Sequence, residues 1–272
     1  MPELPEVETI CRGLIASILK QKITDVCIHN FKLRLPISKN LPKILKKQSF
    51  QKISRRGKYI LLQTKIGTLI IHLGMSGTLQ IKNKNHVVAK HEHLNIYFEN
   101  NLALCYTDPR RFGAILWTTK DPLKHRLLKD LGSEPLTKSF TADFLFTCAK
   151  SKKCSIKQFL MNNSVVTGIG NIYANEVLFA ARINPLKKTN TLSLLQHKKL
   201  VTEIKKILQL AIKHGGTTIK DHTDSRGKKG SFQNKLKVYG KSGQLCPSCQ
   251  TKLVTIKVGG RSTVFCSHCQ GK

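Results

Sequence analysis

Acidic residues are scarce in this chain: 15 Asp and Glu stand against 47 Lys and Arg in 272 residues, a formal net charge of +32. The excess is not a basic tail, because residues 1–132 hold 23 basic and 9 acidic residues and residues 133–272 hold 24 and 6. Both halves are cationic, which points to a polyanion against or between them. Nucleic acid is the favoured partner, even allowing for a lysine-rich background composition. No stretch approaches the roughly 18 unbroken apolar residues of a membrane span. No strongly amphipathic basic helix stands out either, which weakens a membrane-surface reading. The N-terminus carries acids where a signal peptide needs a basic and then an apolar region, so a cytoplasmic protein is expected. Five of the cysteines (Cys11, Cys27, Cys105, Cys148 and Cys154) are scattered and odd in number. That argues for a reducing compartment over a disulfide framework. Internal repeats and low-complexity tracts are lacking.

What is present begins at the first residues, Met1-Pro2-Glu3-Leu4-Pro5-Glu6-Val7-Glu8. Methionine is normally trimmed before a small residue, so the mature chain is expected to start with the secondary amine of Pro2. Such an amine attacks an aldehyde-like carbon, and its adduct is an iminium with no N–H to lose. That permanent cation is an electron sink for elimination at the neighbouring carbon, with Glu3 placed to shuttle protons. The same residues also spell an ordinary helix start: an early proline, acids in the first turn, and an apolar stripe through Val7, Ile10, Cys11, Leu14, Ile15, Ile18 and Leu19. The two readings are compatible, because positive potential at a helix N-terminus lowers an amine's pKa and frees its lone pair.

Beyond the first helix the pattern is of short strands. Residues 59–63 and 68–73 form a hairpin pattern around Lys65-Ile66-Gly67, residues 93–98 and 102–107 repeat it, and 114–118 adds another strand. Several short antiparallel strands suggest a sandwich. Gly and Pro punctuate residues 131–139, after which helices are expected at about 141–150, 155–162, 170–181 and 193–214. The longest places Leu194, Leu195, Val201, Ile204, Ile207, Leu208, Ala211 and Ile212 on one side, and Gly215-Gly216 stops it. Residues 221–237 are polar and glycine-containing, and read as a mobile loop.

Cys246-Pro-Ser-Cys249 and Cys266-Ser-His-Cys269 form two Cys-x-x-Cys knuckles. Four thiolates at this spacing fit a closed, tetrahedral structural zinc site. A redox pair is the alternative, disfavoured by two complete knuckles. The intervening residues, 252–258 and 262–265 around Gly259-Gly260, read as a hairpin too small to hold itself without metal. Arg261 sits at its tip, where a cation meets a phosphate.

Three further motifs join cations to turns. Arg55-Arg56-Gly57-Lys58 leads into a strand and aims the Lys58 amine. His72-Leu73-Gly74-Met75-Ser76-Gly77 and Asp108-Pro109-Arg110-Arg111-Phe112-Gly113 each carry an apolar tip, Met75 or Phe112, the second one flanked by arginine. Such tips either belong to a core or wedge into a base stack to fill the hole left by an extruded base. Gly168-Ile169-Gly170-Asn171 precedes a helix start, where backbone N–H groups approach an anion. The third glycine of a dinucleotide fingerprint is missing and no strand precedes it, so a phosphodiester contact fits better.

Taken in order, these segments resemble the formamidopyrimidine-DNA glycosylases, bacterial base-excision enzymes that remove oxidised purines. The resemblance runs end to end, from the Pro-Glu-Leu-Pro-Glu-Val-Glu-Thr start through Arg-Arg-Gly-Lys-Tyr, His-Leu-Gly-Met-Ser-Gly, Tyr-Thr-Asp-Pro-Arg-Arg-Phe-Gly and Gly-Ile-Gly-Asn-Ile-Tyr-Ala to the four-cysteine finger. It implies an α+β fold: an N-terminal β-sandwich domain with flanking helices (1–132), a helix–two-turn–helix domain (133–237) and a β-hairpin zinc finger (238–272), with damaged double-stranded DNA in the cleft between. It implies one structural Zn2+ on Cys246, Cys249, Cys266 and Cys269, and a monomer. Pro2 would attack C1′ and displace the base, Glu3 would manage protons at the sugar, Lys58 would assist β-elimination and Arg261 δ-elimination. Met75, Arg110 and Phe112 would fill the vacated space, while His91, Lys152, Lys157 and Asn171 match DNA-contacting positions.

Three rival readings remain. An endonuclease VIII-like specificity for oxidised pyrimidines keeps the same chemistry, but that group usually has glycine where this chain has Leu4, and the finger arginine also argues against it. A catalytically idle DNA-binding protein leaves Pro2, Glu3 and Lys58 without a purpose. An RNA- or ribosome-binding zinc-ribbon protein leaves Pro2 unexplained. One departure from the family is notable. Its lesion-capping loop commonly reads Asp-Gly-Lys-Pro-Gly-Tyr-Phe, and here the sequence is Arg226-Gly227-Lys228-Lys229-Gly230-Ser231-Phe232. The expectation is intact chemistry with shifted discrimination among lesions.

Overall fold

A computed structural model describes residues 2–217, 225, 227 and 230–271. The chain divides into two compact units, Met1–Lys129 with His214–Gln233, and Asp130–Lys213 with Asn234–Lys272.

The first unit opens with helix α1 (Leu4–Ile18), whose stripe of Leu4, Val7, Ile10, Leu14 and Ile18 is fully buried. Each such side chain contributes about 1.5–3 kcal/mol of hydrophobic stabilisation. Ile15, which the apolar periodicity placed on the same stripe, is 42% exposed. Two antiparallel sheets follow. One has the order β1-β6-β7-β5, built from Ile23–Ile28, Glu92–Phe98, Leu102–Thr107 and Thr78–Asn83. The other has the order β2-β3-β4-β8, built from Lys52–Arg56, Tyr59–Gln63, Thr68–His72 and Ala114–Thr118. Ile60, Leu62, Leu69, Ile71 and Ile115 of the second sheet share one core with Ile96, Phe98, Leu104 and Tyr106 of the first and with the α1 stripe. This is the expected sandwich with a flanking helix. A short helix, α2 (Leu41–Leu45), packs Leu41 and Leu45 into the same core.

The second unit is helical. Helices α3 (Ala142–Ala149), α4 (Ile156–Leu160), α5 (Asn171–Ala180) and α6 (Leu194–Lys213) fall within the expected spans. Their starts follow capping chemistry: Thr141 accepts from the Phe144 N–H, and Ser155 with Gln158 makes a capping box. Helix α6 ends before Gly215 and Gly216, both at positive φ. Its buried face is His197, Leu200, Val201, Ile204, Leu208, Ala211 and Ile212, whereas Leu195 is 75% exposed and lies off the face the periodicity assigned it. The hairpin β9–β10 (Val254–Val258 and Arg261–Phe265) turns through Gly259 and Gly260, both at positive φ as a two-residue hairpin turn requires. Of the stretch read as a mobile loop, residues 221–224, 226, 228 and 229 lie outside the described residues, and Phe232–Lys235 is a short 3-10 turn. Among the described residues no helix is long and apolar enough to cross a membrane.

Candidate functional site

Strand register gathers three motifs at one end of the second sheet. Tyr59 pairs with His72 and His72 with Ala114, so the Gly57-Lys58 turn, the His72–Met75 bend and the Phe112-Gly113 approach lie side by side. Helix α1 is fastened to the same end. The Arg55 guanidinium on β2 donates to the Glu8 carboxylate at 3.1 Å and to the Gly57 carbonyl at 3.0 Å, and the Cys11 thiol on α1 lies 3.6 Å from the Ser54 carbonyl. Arg55 thus ties the helix to the turn that carries Lys58. Pro2, Glu3 and Lys58 are all buried.

Glu6 holds the start of the chain in place. Its Oε2 accepts the Glu3 N–H at 2.8 Å, and its Oε1 accepts both the N–H and the hydroxyl of Thr217, at 2.8 and 2.9 Å. A Cβ on Gly216, at φ +77°, would meet that Oε1 at 2.8 Å. Segment 214–217 therefore crosses close over the first turn of α1, and glycine lets it do so. The root of the departing loop closes nearby: Ser231 N–H donates to the His214 carbonyl at 2.9 Å and Phe232 N–H to the Gly216 carbonyl at 3.1 Å. Arg226, Lys228 and Lys229 of the unusual loop lie outside the described residues.

Asp108 organises the two apolar tips. Fully buried, it accepts from the Ser76 hydroxyl at 2.6 Å, the Gly113 N–H at 2.8 Å and the Tyr106 hydroxyl at 3.3 Å, and Ser76 in turn accepts the Arg110 N–H at 3.2 Å. The bends touch: a Cβ on Gly74 (φ +62°) would sit 2.5 Å from the Phe112 carbonyl carbon. From this base Met75 and Phe112 are 48% and 46% exposed, and the Arg110 guanidinium lies 4.8 Å over the Phe112 ring. Two large apolar tips held outward on a polar network are not core residues. His72 accepts the Gly74 N–H through Nδ1 at 3.2 Å, so the ring is neutral there. Burial, reinforced by Lys58 and Arg34, pushes its pKa down to about 4. His91 is partly exposed at φ +67°, and its carbonyl accepts the Asp108 N–H.

In the second unit, side chains of α4 and α5 grip strand β10. The Lys157 ammonium, fully buried, donates to the Ser262 carbonyl at 3.0 Å and the Thr263 hydroxyl at 2.7 Å. Asn171 donates to the same carbonyl at 3.1 Å, and Asn175 accepts the Val264 N–H at 2.9 Å. Arg261, at the start of β10, is exposed, as is Lys152. The sulfur atoms of Cys246, Cys249, Cys266 and Cys269 lie within 4.8 Å of one another. The Ser248 and Cys269 N–H groups each donate to a cysteine sulfur at 3.4 Å. Four converging thiols with N–H donors behind two of them suit a tetrahedral, closed zinc site that holds the knuckles together. Phe179 of α5 and Val238 complete its apolar surround.

Family models match along the chain: the formamidopyrimidine-DNA glycosylase N-terminal domain over residues 1–115, the H2TH domain of the same glycosylases over 131–223, and the zinc finger found in FPG and IleRS over 243–271. A protein of Photobacterium damsela subsp. piscicida named formamidopyrimidine-DNA glycosylase is 48% identical over 270 residues, 99% of this chain and all of that one. The chain belongs to the formamidopyrimidine-DNA glycosylase family. Among solved structures of this family, a Lactococcus lactis protein in complex with DNA containing an abasic site superposes with a TM-score of 0.92 at 38% identity, covering 99% of this chain and all of that one. The Lactococcus lactis protein bound to DNA containing an oxidised pyrimidine gives 0.91 at 37% identity over the full length of both.

Several carboxylates that hold the motifs of this family member in place carry little signal in the sequence. Glu6 reads as part of a helix start, and Asp108 as part of a turn. Glu176, buried on α5, accepts the successive N–H groups of Lys237, Val238 and Tyr239 at 2.8–2.9 Å and fixes the chain's entry to the finger. Their partners are largely backbone N–H groups, which leave no mark in a sequence. The one available signal was scarcity: in a chain with only 15 acids, a carboxylate inside an apolar helix face calls for an explanation.

Proposed function

We propose that this chain is a DNA glycosylase and abasic-site lyase of base-excision repair that removes oxidised purines, 8-oxoguanine and formamidopyrimidines, from double-stranded DNA. What carries the reading is the convergence at one end of the first unit: the α1 start with Pro2 and Glu3, the Lys58 turn, and the outward Met75 and Phe112 with Arg110 over the Phe112 ring. The Pro2 nitrogen attacks C1′ of an extruded nucleotide, and the electron pair of the glycosidic bond leaves with the base, which takes up a proton. Glu3 delivers a proton to the ring oxygen as the sugar opens to the iminium. Loss of a C2′ proton then expels the 3′ phosphate, with Lys58 assisting. A second elimination expels the 5′ phosphate, with Arg261 assisting, and a one-nucleoside gap flanked by phosphates remains. Met75, Arg110 and Phe112 occupy the vacated stack.

His91, Lys152 and Asn171 contact the DNA backbone, and Lys157 acts through β10, since its ammonium is spent on Ser262 and Thr263. The structural zinc keeps the hairpin that carries Arg261. The enzyme works as a monomer in the cytoplasm, associated with the nucleoid when bound to DNA, in three segments, 1–132, 133–237 and 238–272. The oxidised-pyrimidine complex of the Lactococcus lactis relative favours a second, wider reading in which some oxidised pyrimidines are also accepted.

The test is borohydride trapping on a duplex with 8-oxoguanine opposite cytosine, comparing the intact protein with Pro2→Gly after verifying methionine removal. A covalent adduct that needs Pro2 is expected. Absence of both adduct and strand cleavage removes the reading and turns attention to an oxidised-pyrimidine panel.

A further inference from the structure

Three metal-ligating side chains of different types meet on the sheet β1-β6-β7-β5. His86 Nε2 lies 2.6 Å from Glu92 Oε1 and 3.4 Å from Cys105 Sγ, and the three donor atoms fall within 4.8 Å of one another. Glu92 and Cys105 are buried and His86 is largely so. We propose that His86, Glu92 and Cys105 form a second metal site, for a thiophilic divalent ion of the zinc class, distinct from the four-cysteine finger.

Two observations support it. First, the spacing fits. A tetrahedral ion with ordinary Zn–N, Zn–S and Zn–O bonds sets N···S near about 3.5 Å and N···O near about 3.3 Å. The Nε2···Sγ separation already matches, and Nε2···Oε1 has to open by only a fraction of an ångström. Second, the ligands are oriented from behind. His86 Nδ1 faces the Asn83 carbonyl at 2.9 Å, the hydrogen bond that turns Nε2 of a metal-bound imidazole toward its ion. Glu92 Oε2 accepts from Lys82 at 2.8 Å and the Ala89 N–H at 3.3 Å, leaving Oε1 to face the histidine and the thiol. Segment 84–91, which carries His91, would then be tied to the sheet at His86 as well as at Glu92.

The experiment is metal counting on untagged, full-length protein whose finger is already loaded. The protein is equilibrated with excess zinc, freed of unbound metal and analysed by mass spectrometry, with Co2+ spectra in parallel. Two ions per chain are expected, the second giving a one-thiolate cobalt spectrum, and Cys105→Ser and His86→Gln should each return the count to one with the finger signal intact. His86 lies on an exterior segment, so its variant decides the matter even if the buried Cys105 change unfolds the protein. One ion per chain at saturating zinc overturns the proposal, and so does a second ion that survives His86→Gln.

Discussion

Replacing Glu6 by Gln keeps the size of the side chain but removes the charge that holds the Glu3 N–H and Thr217. One acceptor is exchanged for an NH2 donor, which faces either the Glu3 N–H or the Thr217 N–H and leaves it unpaired. A buried, unsatisfied N–H costs about 1–3 kcal/mol. Part of that appears as lower thermal stability. The rest appears as a start of α1 no longer held in place, so Glu6→Gln is expected to slow single-turnover excision about 10-fold or more. Affinity for an abasic-site analogue should change less than about 2-fold, because Glu6 is buried. Equal losses in both would make it a binding residue. His72 gives a pH prediction. Its folded pKa, about 4, lies below the unfolded value of 6.5, so the unfolded chain binds the proton more tightly. The stability it contributes is complete above about pH 6.5 and is lost as pH falls toward 4, up to about 3 kcal/mol. Urea unfolding across that window should show a shallower slope in His72→Gln. At this scale the sequence was legible where a residue's type and spacing are its chemistry, as with the four cysteines. It was opaque for Glu6 and Asp108, whose backbone and hydroxyl partners are brought close only by folding.

Strand β10 is the element on which the finger turns, and helices α4 and α5 hold it by side chains. Lys157→Met keeps the buried aliphatic stem and deletes the ammonium, leaving the Thr263 hydroxyl short of a partner while Asn171 still reaches the Ser262 carbonyl. A loss of about 1–3 kcal/mol is expected on unfolding. If β10 is where Lys157 acts, Lys157→Met should also lower the yield of δ-elimination product relative to β-elimination product. An unchanged product ratio with weakened DNA affinity would instead make it a direct phosphate contact. The elements themselves divide by how strongly their faces are buried. Strands Tyr59–Gln63, Thr68–His72 and Leu102–Thr107 have central runs buried on both faces, and such runs announce themselves. Lys52–Arg56 offers one buried apolar residue, Ile53, and Thr78–Asn83 also only one, Leu79, so neither pattern was strong enough to stand out. The helices of the second unit were readable to within a turn because their caps and glycine stops are local signals.

Charge acts on the molecule as a whole, and there it separates binding from chemistry. A net charge of +32 spread over both halves of the sequence commits the protein to a large counterion-release term. With about six phosphates neutralised, log K falls by about 0.9 per phosphate per decade of salt, so affinity drops about 10³-fold between roughly 50 and 200 mM salt. Undamaged duplex should show nearly the same slope as lesion duplex, since phosphate contacts carry no lesion information. The excision step differs. Pro2, Glu3 and Lys58 are buried, and buried charges are screened far less than exposed ones. Once enzyme saturates the duplex, the excision rate should therefore change less than about 2-fold over the same salt range. Fluorescence titration and single-turnover kinetics on one lesion duplex measure both quantities. A saturated rate that falls in step with affinity would mean that surface charge drives the bond-breaking step itself. A flat rate with a steep affinity means that the lysine excess delivers the protein to DNA and a few buried residues at the start of α1 do the rest.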